Sequence, residues 1–328
     1  MIRSLFFEQG KAEPTPASVE DYPKILGDPN NMLWVDFSAE DPVHAEQIMR
    51  DIFAFHPLAI DDALRETHVP KVDDWEGYLY LVLHDISFDR PSSELETNEL
   101  DAFLGANFLV TYHELPVHGL ERAWQTCLKS DRHRRKGVDH LLYLVSDEIV
   151  ADFMVTVDLM DEEIEQVENL VFDKPSPDIV QKVFKLKRAT LHLRRSLSPL
   201  REVFNKLARD DYSVIDEKDQ IYFRDVYDHL VRLHDLSESL RDVASGALDT
   251  YLSVINNRMN EVMKTLTVVT SLFMPISFLS GFFGMNYFQP VAANLTPWTS
   301  MPSFIIAMVI FIGTPVGMLG WMRHRGWI

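Results

Sequence analysis

Between Thr265 and Met322 the chain has no Asp, Glu, Lys, Arg or His, although Asp and Glu number 50 in its 328 residues and its formal net charge is -19. The whole acidic excess therefore lies upstream of a neutral tract, and an ordinary average composition conceals two parts with different solvent preferences. Cysteine is nearly missing: Cys127 stands alone, which excludes an internal disulfide and agrees with a reducing compartment. Glycine, at 13 residues, leaves little room for a loop that cradles phosphate. There is no Walker-type glycine loop, no paired cysteines for zinc and no His-Glu-x-x-His helix. The chain is thus expected not to be an enzyme and to use no organic cofactor. So negative a balance argues against nucleic acid as a partner and toward cations. The basic run "DRHRRKG" is a local exception and reads as a solvated loop. The opening stretch "MIRSLFFEQGKAEPTP" lacks the basic-then-apolar pattern of a cleaved signal, because Glu8 and Lys11 follow Phe6 and Phe7 at once. The acidic part is expected to stay on the side where it is made.

Inside the neutral tract, "TLTVVTSLFMPISFLSGFFG" and "SFIIAMVIFIGTPVGMLGWM" are each long enough, at about 1.5 Å per residue, to span a hydrocarbon core of about 30 Å. The stretch between them, "MNYFQPVAANLTPWTSMP", is polar, uncharged and proline-bearing, and reads as a short loop with aromatic residues suited to an interface. Arg258 and Lys264 precede the first span, Arg323 and Arg325 follow the second, and the loop has neither Lys nor Arg. By the positive-inside bias, both termini are expected in the cytoplasm of a cell with the chain in its inner or plasma membrane, in contact with lipid.

The first span continues a helical pattern that starts far upstream. From Glu217 to Lys264, Leu230, Leu233, Leu236 and Leu240 recur at steps of three and four, and no proline appears before Pro275. A helix from Glu217 to Phe283 would be about 100 Å long, more than an anchor needs. One stripe of it, Asn260, Met263, Leu266 or Thr267, Thr270, Met274, Ser277, Gly281 and Gly284, has a period near 3.5 and mixes small, polar and flexible side chains. The bulky Val268, Leu272 and Phe282 read as lipid-facing. Two arrangements fit such a stripe: a narrow pore shared by several copies, or a helix dimer packed through small residues, Ser277 and Gly281 among them. The span closes on Gly284, Met285 and Asn286. Gly284 can release the backbone from helical geometry, and Asn286 offers a neutral carbonyl acceptor at the mouth. Neutral acceptors suit Mg2+, which gives up its waters reluctantly: amide oxygens can hold the hydrated ion by its water shell without trapping it.

In the acidic part, β-rich runs at "MLWVDF", "YLYLVLHDIS" and "LDAFLGANFLVTYH" imply an α/β layer over residues 1 to 135. Residues 136 to 264 read as long helices. A first, "VDHLLYLVSDEIVADFMVTVDLMDEEIEQVENLVF", turns at "DKPSPD", where Ser176 can cap and Pro177 can open the returning partner "IVQKVFKLKRATLHLRRSLSPLREVFNKLA". Asp158, Asp161, Glu162, Glu163, Glu165 and Glu168 crowd the first of these helices, either as a solvated face or as an acidic tip that senses cations. His56, Asp61 and Asp62 in "HPLAIDD" could suggest a hydrolytic metal site, but a structural role at a helix start is the simpler reading, and His84 with Asp85 is equally undistinguished.

The Gly284-Met285-Asn286 triplet, ending the first of two C-terminal spans, resembles the mark of the CorA family of divalent-cation channels. "YFRDVYDHLVRLHDLSESLRDVASGALDTYLSVINNRMNEVMKTLTVVTSLFMPISFLSGFFGMN" resembles that family's stalk and first span, and "FHPLAIDDALRETHVPKVDDWEGYLYLVL" its N-terminal domain. The resemblance implies a funnel-shaped homopentamer with an α/β/α cytoplasmic domain, long helices and two transmembrane helices. The first span would be 265–284, the external loop 285–302, the second span 303–322 and a cytoplasmic tail 323–328. It implies that Gly284, Met285 and Asn286 form the selectivity filter and that Asn260, Met263, Leu266, Thr270, Met274, Ser277 and Gly281 line a Mg2+ pore. It also implies regulatory Mg2+ held between subunits by Asp89, in "HDISFDR", and Asp225, in "YFRDVYDH". Two features depart from the family pattern. The loop "YFQPVAANL" carries no acid where many relatives have Met-Pro-Glu-Leu, and the tail has Arg323, His324 and Arg325 in place of a lysine run.

Overall fold

The computed structural model describes residues 1–8, 13–65, 68–129, 136–284 and 301–327. They fall into two compact units, Met1–Thr250 and Tyr251–Ile328.

The first unit is built on a six-stranded sheet: β1 (Ile2–Phe7), β2 (Met32–Ser38), β3 (Lys71–Trp75), β4 (Tyr78–Asp89), β5 (Glu94–Gly105) and β6 (Phe108–His113). The order is β1-β2-β6-β5-β4-β3, with β2 and β6 parallel and every other neighbouring pair antiparallel. Both faces are buried, so the central strands read as continuous apolar runs, and alternate residues enter different cores. Tyr78, Tyr80 and Val82 of β4 join Leu33, Val35 and Phe37 of β2 in one core, with α1 (Tyr22–Leu26), α2 (Pro42–Asp51) and α3 (Pro57–Arg65). Leu79, Leu81 and Leu83 join Trp34 and Leu109 in the other. That face is covered by α4 (His118–Lys129), α5 (Val138–Asp173), α6 (Pro177–Leu207) and the first part of α7 (Gln220–Gly284). The result is the expected α/β domain, with helices on both sides of the sheet.

The run "LDAFLGANFLVTYH" is two strands rather than one. β5 ends at Gly105, β6 begins at Phe108, and the two pair antiparallel. Gly105 suits this turn, because a Cβ there would lie 2.3 Å from the Phe108 ring and the ring would have to move. Asn107 fixes the turn by donating to the carbonyls of Leu26 and Asp28, each at 3.3 Å. At the α5–α6 connection Pro177 does occupy the first turn after Ser176, but the Ser176 hydroxyl makes no capping hydrogen bond.

One charge is fully buried in the sheet. Asp36 accepts from Arg3 Nε at 2.8 Å and from Thr111 Oγ1 at 2.7 Å, with His113 Nε2 3.5 Å away. The Arg3 guanidinium in turn lies 4.2 Å from the centroid of the Trp124 ring. Burial pushes the Asp36 carboxyl up, but His113, Arg3 and Thr111 outweigh it and hold the carboxyl below its ordinary range.

α7 contains 65 residues, with Pro275 its single internal proline. Its early part is buried along Phe223, Val226, Leu230, Leu233, Ser237, Leu240, Ala244 and Ala247, a strict alternation of three and four. The second unit holds the rest of α7 together with α8 (Met301–His324).

Candidate functional site

Beyond Ala247 no described side chain of α7 is buried. Along the apolar stretch the partly covered residues are Val268, Ser271, Leu272, Pro275, Ile276 and Leu279, which form one face. Val268, Leu272, Pro275 and Leu279 continue the three-four alternation of the buried seam upstream. Val268 and Leu272, expected to face lipid, thus lie on the covered side, while Phe282 is exposed. Bulk suits helix packing as well as it suits lipid, so size could not separate the two environments.

All seven expected pore-lining residues, Asn260, Met263, Leu266, Thr270, Met274, Ser277 and Gly281, are exposed. Met263, Leu266 and Met274 are 59%, 64% and 66% exposed. At about 100° per residue their mean direction is roughly opposite the covered face. The stripe is therefore a coherent surface left open by one chain. α8 is likewise partly covered along Ser303, Ala307, Phe311, Thr314, Pro315 and Met318, with Met322 buried, and is exposed elsewhere. Both helices are long and apolar enough to cross a membrane, and neither apolar window is buried. So much exposed apolar surface requires lipid or further copies of the chain around it.

The stripe carries no charge, and its threonines offer acceptors. The hydroxyls of Thr267 and Thr270 donate back to the carbonyls of Met263 and Leu266, at 2.7 and 2.8 Å. Their protons are thereby occupied, and what each presents outward is lone pairs, suited to the water protons of a hydrated cation. Pro275 has no N–H, so it cannot donate to the carbonyl of Ser271, one turn earlier. A Cβ on Gly281 or Gly284 would meet nothing within 4 Å, so packing inside one chain does not require glycine at either position. Gly284 is the last described residue of α7; Met285 and Asn286 lie outside the described residues.

The expected regulatory acids belong to the first unit. Asp89 ends β4 and accepts from the Ser92 backbone N–H at 3.0 Å, and its hydrogen bonds with Ser92 lower its carboxyl. Asp225 is exposed on α7. Among the described residues no group of three or more His, Cys, Asp or Glu could hold a metal ion. Asp147 of α5 was passed over in the sequence. It is raised first by burial, then by the charges of Glu148 and Asp225, with His229 opposing. Only the packing of α5 against α7 brings it into range, since 78 positions separate it from Asp225 in sequence.

The other candidates are structural. His56 accepts the Leu58 backbone N–H at 3.2 Å, donates its own backbone N–H to Tyr78 Oη at 2.9 Å and stacks on Trp75. Asp61 pairs with Arg65, and Asp62 with Lys71. Buried His84 bridges the His68 carbonyl and Ser196 Oγ, tying β4 to α6; burial lowers its pKa. On the acidic face of α5, Glu162 is paired with Arg90, and Glu163 with Lys182 at 2.6 Å.

Residues 29–324 match a family described as CorA-like Mg2+ transporter protein. A putative metal ion transporter of Bacillus subtilis, YfjQ, is 33% identical over 295 residues, covering 90% of this chain and 89% of its own. The cobalt/magnesium transport protein CorA of Thermotoga maritima is 35% identical over 262 residues, covering 79% and 74%. The complete structure of the CorA magnesium transporter from Methanocaldococcus jannaschii superposes with a TM-score of 0.82 at 22% identity, covering 100% of this chain and 99% of that one.

Proposed function

This chain belongs to the CorA family of divalent metal ion transporters, and from that premise we propose that it is a Mg2+ channel whose pore is lined by one face of α7 in an assembly of five copies. It is a transporter and not an enzyme. The observation that carries the reading is the exposed stripe from Asn260 to Gly281, opposite the covered face of the same helix.

In the proposed mechanism, Mg2+ enters with its waters, held at the mouth by the Asn286 amides beside Gly284 and Met285. It passes Gly281 and Ser277, then the ring of Met274, then Thr270, and then the rings of Leu266 and Met263 before Asn260. A tract without a carboxylate can pass the ion without binding it tightly. The membrane potential drives entry: a divalent ion crossing 100 mV gains about 4.6 kcal/mol, twice the value for one charge. Arg258 and Lys264 before the first span, with Arg323 and Arg325 after the second, support an inner- or plasma-membrane position with both termini cytoplasmic. Trp321 and Trp327, with Arg325 5.8 Å from the centroid of the Trp321 ring, suit the interface at the end of α8. The spans are then 265–284 and 303–322, with 285–302 outside.

Closure is proposed to follow when cytoplasmic Mg2+ bridges Asp89 of one copy and Asp225 of the next. Both acids are exposed, and a single chain gathers no three-ligand cluster among its described residues, so an ion there would depend on assembly. Co2+, Ni2+ or Zn2+ in the same pore is the second reading. The name of the Thermotoga relative includes cobalt, and the acid-free loop of this chain removes one source of cation attraction at the mouth.

Cysteine accessibility tests the pore face, because the single native cysteine, Cys127, is buried. Ser277→Cys should let a small charged thiol reagent block Mg2+ uptake, whereas Leu272→Cys should not. Equal block at both positions, or block at Leu272→Cys alone, would overturn the assignment.

A further inference from the structure

Asp85 of β4 lies where α4 and α5 pack on the sheet, and it is 2% exposed. Its Oδ2 accepts the backbone N–H of His118, the first residue of α4, at 3.0 Å. Its Oδ1 is buried with no donor, and Oδ2 of Asp152, on α5, is buried in the same condition. After burial, the charge of the Asp152 carboxyl and its hydrogen bonding act to raise the pKa of Asp85. On its other side Asp152 accepts from Arg122 Nη2 at 2.7 Å, and Arg122 Nε donates to Glu148 Oε2 at 2.6 Å.

Among the described residues, the groups around the pair are few. α4 contributes Arg122 and the backbone N–H of His118, whose ring is exposed; α5 contributes Glu148 and Asp152. On β5 the residue opposite Asp85 is Asn98, which does not titrate and whose amide donates to Pro116 O at 3.0 Å. One cation, Arg122, therefore serves three carboxyl groups, and two acceptor oxygens are left without donors. Two ionised carboxylates placed this way repel each other. A single proton between them replaces that repulsion with a short O–H···O hydrogen bond.

We propose that Asp85 and Asp152 share one proton, and that this proton latches strand β4 to helix α5, making the junction a pH-sensitive element of the soluble unit. Burial first, and then the charge of Asp152, push Asp85 up to about 7, so the latch titrates near neutrality. Its folded-state affinity for the proton exceeds that of an ordinary aspartate, near 3.8. The folded state thus binds more protons than the unfolded chain between those two values, and stability falls as pH rises through about 7. A proton fits better than a metal ion. Both free oxygens are enclosed, whereas Mg2+ held by two carboxylates keeps several waters that need space.

The test is infrared difference spectroscopy and thermal unfolding of the full-length protein in detergent across this pH range, comparing wild type with Asp85→Asn. Wild type should show the carbonyl band of a protonated carboxylic acid that disappears as pH rises through about 7, with a parallel fall in Tm. In Asp85→Asn, where an amide N–H replaces the shared proton, the band should be absent and the fall in Tm flattened. Asp152→Asn should lose the same band, which keeps the test decisive if the first variant folds poorly. A titrating band that persists in both variants would overturn the proposal. So would a high-pH loss of stability that Mg2+ restores in wild type but not in Asp85→Asn, because the occupant would then be a metal ion.

Discussion

Gly281→Ala separates what one chain needs from what an assembly needs. Within the chain a Cβ at this position meets nothing within 4 Å. The substitution costs no packing there and adds at most about 1 kcal/mol of helix preference. In a five-fold pore the same methyl group projects inward from every copy by a bond of about 1.5 Å, narrowing the opening by up to about 3 Å. With oxygens at about 2.1 Å and waters of about 1.4 Å radius, hydrated Mg2+ is about 7 Å across, so the loss is a large fraction of what the ion needs. Uptake of Mg2+ into liposomes should fall at least about tenfold, equivalent to about 1.4 kcal/mol on the barrier, with no drop in Tm. Gly246→Ala is the matched control. It too meets nothing within 4 Å, on the same helix before the span, and should leave uptake unchanged. Wild-type uptake in a folded Gly281→Ala protein would refute the placement of this face at a pore.

Gly119→Ala should lower stability by about 1 to 3 kcal/mol, read as a lower Tm, because its Cβ would come within 2.9 Å of the Ile149 backbone nitrogen and 3.1 Å of the Glu148 carbonyl carbon. At His113 burial lowers the pKa, but Asp36 outweighs it and the net shift is upward. The contribution of His113 is therefore complete below its ordinary 6.5 and is lost as pH rises through the higher folded value, and His113→Gln should flatten that part of the Tm profile. Asp36→Asn should cost about 3 to 5 kcal/mol in chemical denaturation, because Arg3 and His113 lose their buried counter-charge. Asp225→Ala and Asp89→Lys should each change the Mg2+ concentration at which uptake closes; unchanged inhibition in both would remove the bridging proposal.

Strongly periodic elements were legible in the sequence because their periodicity is itself the packing. Leu230, Leu233 and Leu240 form part of the buried seam of α7, although Leu236, in the same spacing, is exposed at 43%. The apolar runs of β2 and β4 followed from burial on both sides of the sheet. β1 and β3 did not stand out. β3 reads "KVDDW", an edge strand with charges that oppose further pairing and hide its character. The open stripe was visible from its spacing, but the covered face opposite it was not, since Val268 and Leu272 are as apolar as any lipid-facing residue. Pairs such as Asp147 with Asp225, or Asp85 with Asp152, come from distant segments. Each acid alone is indistinguishable from a solvated one until packing sets its neighbours.

The most direct test of the central claim is Mg2+ entry into liposomes containing the purified protein, with a Mg2+-sensitive dye inside and an imposed negative interior potential, comparing wild type with Asn286→Ala. Potential-dependent entry in wild type that is lost in the variant is the expected result. Absence of entry in wild type with internal Mg2+ kept low, or equal entry in both proteins, would contradict it.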